Sequence, residues 1–79
     1  MTAVVNVFLK DGVLDPQGKA AHHALDSLGF SNINDVRIGK QIIIKLETTN
    51  RTQAQNEVEE MCETLLANTV IEDYNIEIQ

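Results

Sequence analysis

DVRIGKQIIIKLE, Asp35 to Glu47, is the stretch on which the fold turns. Val36, Ile38, Ile42, Ile44 and Leu46 share one parity, interrupted only by Lys40 at the Gly39 step. Side chains alternate across a strand, so this parity predicts one long strand bent at Gly39 with a single buried face. The competing reading puts Gly39-Lys40 at the tip of a two-residue hairpin, where glycine first suits a type II′ turn, and adds a fourth strand. The bent strand is preferred because it keeps the parity.

Working outward, Ala3 to Leu9 is rich in valine and is closed by Asp11-Gly12, the signal of a first strand and its turn. Val5, Val7 and Leu9 lie on one side and Val4 and Phe8 on the other, as in a strand covered twice. A helix follows from Pro16, with Asp15 as cap and Ala21, Ala24, Leu25 and Leu28 at helical spacing; Gly29 ends it. Asn50 with Gln53 three residues on resembles a capping box and opens a second helix, predicted to turn Ala54, Val58, Met61, Cys62 and Leu65 to the core and Glu57, Glu59, Glu60 and Glu63 to solvent. Tyr74, Ile76 and Ile78 alternate with Asn75 and Glu77 in a last strand. The order is βαβαβ, or βαββαβ with the hairpin. This is an α+β chain, read as a ferredoxin-like sheet with two helices on one face. Val4, Phe8 and Ile43 then point to the bare face, and an apolar patch there on so small a domain is expected to be the surface through which the chain oligomerises.

A chain of 79 residues is expected to form one domain, residues 1–79, and to bury only about 60% of its unfolded surface. Partner surface is the expected supplement. The net charge of −6 argues against nucleic acid and membrane surfaces as partners, since phosphate neutralisation requires a basic patch. Acid is concentrated late: residues 46–79 hold eight carboxylates and one basic side chain, Arg51. The single cysteine excludes an internal disulfide, and TAVVNVFLKD has neither a basic leader nor an apolar run long enough for a signal or anchor, so the chain reads as cytoplasmic.

No residue set suggests catalysis. Gly12 and Gly18-Lys19 imitate a P-loop, yet five residues separate the glycines where four are needed, and Ala20 stands where a hydroxyl must reach the metal ion. No ATP binding is expected. His22 and His23 are adjacent, so a helix turns them about 100° apart and they cannot clasp one metal. Cys62 shares a face with Val58 and Leu65 and reads as a small core residue. Two segments remain for docking a partner: Asp15, Gln17, Gly18 and Lys19, where a first helical turn offers N–H groups, and Arg37, Gly39 and Lys40, a basic stretch whose glycine permits close approach. Capping and solvent-facing strand charges are the plain alternatives for both.

The wording of the chain goes further. LDPQGKA (Leu14 to Ala20), LGF (Leu28 to Phe30), VRIGK (Val36 to Lys40), Met61-Cys62 and LLAN with VIEDY between Leu65 and Tyr74 resemble the small, PurS-type subunit of phosphoribosylformylglycinamidine synthase, over nearly the whole length. Asp11 and Thr69 depart from it, standing where the family often carries proline. The resemblance implies a non-catalytic assembly subunit in purine biosynthesis. It would be a homodimer or tetramer that brings an ATP-dependent synthetase subunit and a glutaminase subunit together for ammonia transfer. ATP and magnesium would belong to the synthetase, and no cofactor to this chain. The alternative is a ligand-sensing regulatory domain of ferredoxin-like type. An RNA-binding domain is disfavoured by the missing strand aromatics and the sign of the charge.

Overall fold

The computed structural model describes all 79 residues, Met1 to Gln79. Its order is βαβαβ: strand β1 (Thr2–Leu9), helix α1 (Pro16–Ser27), strand β2 (Lys40–Lys45), helix α2 (Arg51–Met61) continued by a π-turn (Cys62–Leu66), and strand β3 (Glu72–Ile78). The sheet runs β2-β1-β3 with both pairings antiparallel. The α+β architecture of three antiparallel strands and two helices is the one expected from the sequence.

Of the Asp35–Glu47 stretch, only Lys40–Lys45 is strand, and it pairs with β1 from Thr2↔Lys45 to Val7↔Lys40. Residues 35–39 join no ladder, so the hairpin and its fourth strand are absent. Gly39 is the point of departure: a Cβ there would sit 2.6 Å from the Val7 carbonyl oxygen, closer than any side chain tolerates.

The central strand β1 supplies Ala3, Val5 and Val7 to one face, opposite Ile42 and Ile44 of β2 and Tyr74, Ile76 and Ile78 of β3. Onto this face α2 lays Ala54, Val58 and Cys62, spaced by four and all fully buried. Asn50 caps the helix, accepting from Gln53 N at 3.0 Å. Where the periodicity predicts Leu65 in the core, the π-turn intervenes. Its wider bond, Ala67 N to Cys62 O at 3.0 Å, adds a residue to the turn, so Leu66 and Ala67 face inward while Leu65 is 81% exposed.

Helix α1 departs from the expected layer of two helices over one face, because no α1 residue joins the core. It starts at Asp15 and Pro16 and ends in a Schellman motif, in which Gly29 at φ +100° lets Phe30 N reach Leu25 O at 3.0 Å and Gly29 N reach Asp26 O at 3.1 Å. Its tertiary bond runs to its own return segment, His22 Nε2 to Ile33 O at 3.0 Å. Helix and return segment together form an arm. The chain therefore spans 48 × 24 × 14 Å, with a radius of gyration of 15.9 Å. A compact domain of this length would have about 12 Å.

Candidate functional site

One carboxylate ties the start of α1 to the return segment at the base of the arm. Asp15 caps α1, Oδ1 accepting from Gly18 N at 2.8 Å, while Oδ2 accepts from Ile38 N at 2.8 Å. Both oxygens are thus used, and the residue is only 4% exposed. The bond from Ile38, then that from Gly18, hold its carboxyl below the ordinary 3.8, with the Arg37 charge assisting and desolvation opposing. Gly18 is buried beneath the return segment, where a Cβ would collide with the Val36 carbonyl oxygen. Arg37 Nη2 adds a bond to Lys10 O at 3.2 Å, tying the same segment to the end of β1.

This clasp brings the two sequence-predicted docking segments together, although about twenty residues separate them. Asp15, Gln17, Gly39 and Lys40 line one cleft of about 320 Å³ that reaches Phe8 and Glu72. Asp15, Lys19 and Arg37 line a second, of about 270 Å³, with Asp35. Asp15 wedges between the two and Gly18 lies beneath, so these two serve the scaffold. The side chains of Gln17, Lys19, Arg37 and Lys40 are exposed. Periodicity missed the Asp15–Ile38 bond; the only local signal of it was an aspartate at a helix start.

The bare face of the sheet holds the other predicted set. Val4 pairs with Ile43 and with Glu77, so one apolar pair sits beside an acid. Val4 is nearly covered, Ile43 58% exposed and Phe8 40% exposed. Between Val4 and Phe8 runs a row of amides that the sequence reading did not anticipate: Gln41 Nε2 donates to Asn6 Oδ1 at 3.0 Å, and Asn6 Nδ2 to Asn75 Oδ1 at 2.9 Å. The face is therefore apolar at two spots separated by a polar row.

The cysteine lies away from all of these. Burial pushes the Cys62 thiol up, with Glu63 and Glu59 adding to it, the reverse of what a nucleophile requires. Burial and the neighbouring Glu63 likewise raise Tyr74.

The sequence model of PurS, Phosphoribosylformylglycinamidine (FGAM) synthase, matches residues 2–79. The chain belongs to the PurS family. Among PurS relatives, the phosphoribosylformylglycinamidine synthase subunit PurS of Bacillus subtilis is 52% identical over 75 residues, covering 95% of this chain and 88% of the relative. The solved PurS of Methanocaldococcus jannaschii, one of the subunits of formylglycinamide ribonucleotide amidotransferase, superposes with a TM-score of 0.89 at 45% identity, covering 99% of this chain and 94% of that one. A chain in the structure of PurLQS from Thermotoga maritima superposes with a TM-score of 0.87 at 29% identity, covering 96% of this PurS chain and 93% of its own. No helix here is long and apolar enough to cross a membrane.

Proposed function

We propose that the chain is the assembly subunit of phosphoribosylformylglycinamidine synthase in purine biosynthesis and is not catalytic alone. It holds an ATP-dependent synthetase subunit and a glutaminase subunit in register, so that ammonia released by one reaches the other. The observation that carries this reading is the full-length likeness to PurS subunits, one of them solved within PurLQS. PurL and PurQ are then the two partners, ATP and magnesium belong to the synthetase, and the place of action is the cytoplasm.

Within this reading the exposed cations of the clasp, Lys19, Arg37 and Lys40, with Gln17 beside them, dock a larger subunit. Asp15, Gly18 and Gly39 fix their positions. Phe8, Ile43 and the covered Val4 serve self-association on the bare face, in a homodimer or tetramer.

The test is amidation of formylglycinamide ribonucleotide by the reconstituted partners, run with glutamine or with free ammonium, with and without this chain. Omitting the chain should abolish the glutamine-driven rate and largely spare the ammonium-driven one, because ammonia supplied from bulk needs no coupling. Charge reversal of Arg37 and Lys40 should lower the glutamine-driven rate and weaken co-migration of the three proteins. Equal loss with both nitrogen sources would assign the chain a chemical role, and no loss with either would remove it from the reaction.

A further inference from the structure

Strands β2 and β3 are both edges of the sheet, but the edge of β3 is framed at its two ends. In an antiparallel pair, alternate residues bond to the neighbouring strand and the others turn their N–H and C=O away from it. Thr2 exchanges both bonds with Gln79, and Lys10 N donates to Ile71 O, so the odd-numbered residues of β3 face β1. Glu72, Tyr74, Ile76 and Ile78 therefore turn theirs outward. The chain itself closes the two ends: Glu72 N donates to Asn68 O at 2.7 Å, and Ile78 O accepts from Arg51 Nη1 at 2.9 Å. Between them the N–H and C=O of Tyr74 and Ile76 stay open. Beside the edge runs a trough of about 500 Å³ along the outer flank of α2, where Thr52, Gln55 and Asn56 stand over Ile76 and Ile78.

We propose that this edge takes an extended, basic segment of a larger subunit as a fourth strand. This rests on the assembly role proposed above, which needs two docking surfaces because two different enzymes are held. Surfaces of opposite charge keep two such partners from changing places. The clasp offers the cationic surface, in Lys19, Arg37 and Lys40. Along β3 the sign reverses: Asp73 and Glu77 are exposed on the strand, and Glu59 and Glu63 on α2 above it. Arg51, the cation nearby, is already bound to Ile78 O. Edge strands are commonly guarded by lysine, as β2 is by Lys40 and Lys45 at its ends, whereas β3 carries none. Its acids match lysines or arginines on an incoming strand. A second copy fits poorly. Centred on Asn75, β3 against β3 would set Asp73 opposite Glu77, and β3 against β2 would chain copies head to tail. Backbone pairing supplies the affinity of such strand addition, and the trough receives alternate side chains of the added segment.

The test is amide exchange of the full-length chain by NMR, free and with purified PurL or PurQ. In the free chain the Tyr74 and Ile76 amides should exchange fast, and with one of the two subunits they should slow by about a hundredfold or more. Asp73→Lys combined with Glu77→Lys changes two exposed side chains and should keep the fold by circular dichroism. It should weaken binding of that subunit by about tenfold or more and leave the other subunit's binding unchanged. Unprotected Tyr74 and Ile76 amides in complexes that do form, or unchanged binding by the double-lysine variant, would overturn the strand addition and leave the assembly role standing. Protection in the chain alone that grows with its concentration would give the edge to a second copy and overturn it as well. If neither PurL nor PurQ binds the chain, the assembly role itself falls, and the added strand with it.

Discussion

At the residue scale, the arm depends on Asp15 and Gly18. Because hydrogen bonds from Ile38 and Gly18 lower the folded carboxyl below 3.8, the stabilisation from Asp15 is fully present above that value and is lost as pH falls through the lower folded one. An Asp15→Asn variant keeps the shape but lacks the charge. The difference in urea midpoint between it and wild type should be widest near neutral pH and should narrow below about pH 4; a difference unchanged down to about pH 2 would contradict the assignment. Gly18 makes an opposite case to ordinary helix propensity. In a helix interior alanine is better than glycine by up to ~1 kcal/mol, yet here its methyl meets the Val36 carbonyl. Gly18→Ala should therefore destabilise by about 1–3 kcal/mol, the usual cost of overpacking, as measured by chemical denaturation.

At the element scale, connections carry the next expectation. The turn from Lys10 to Val13 closes with Val13 N to Lys10 O at 3.1 Å, and Gly12 at φ +85° makes it a type II turn with Asp11 at its second position. Proline suits that position, so Asp11→Pro should stabilise by about 0.4–1 kcal/mol, chiefly by restricting the unfolded chain. A lowered denaturation midpoint would show that the Asp11 N–H or side chain is needed. Much of this scale was legible in the sequence, because caps, turn glycines and alternation are local. Asp15, Pro16, Gly29 and Asn50 each marked the boundary they now make. Two features were hidden for definite reasons. The π-turn changes the period from inside a helix, so counting by 3.6 put Leu65 where Leu66 and Ala67 stand. The bond between Asp15 and Ile38 crosses 23 residues, and without it the extended look of Val36 and Ile38 read as strand.

At the scale of the whole molecule, periodicity told which side of α1 is apolar but not what lies against it. The docking residues could be named, yet the clefts they share come only from the fold. The body of three strands and α2 holds the core, whereas the arm buries one residue of its helix, Gly18. Hydrogen exchange should reflect this: in dilute single chains the amides of α1 should exchange far faster than those of β1. Equal protection of arm and body in a dilute monomer would contradict it. The sheet order has a further consequence for synthesis. Strand β1, central and rich in valine, ends at Leu9 and is made well before its neighbour β3, which begins at Glu72. At about 5–20 residues per second, ~4–14 seconds pass before that edge can be paired. For that time Ala3 to Phe8 is an apolar strand with an open side, the kind of segment that joins chains emerging nearby on the same message.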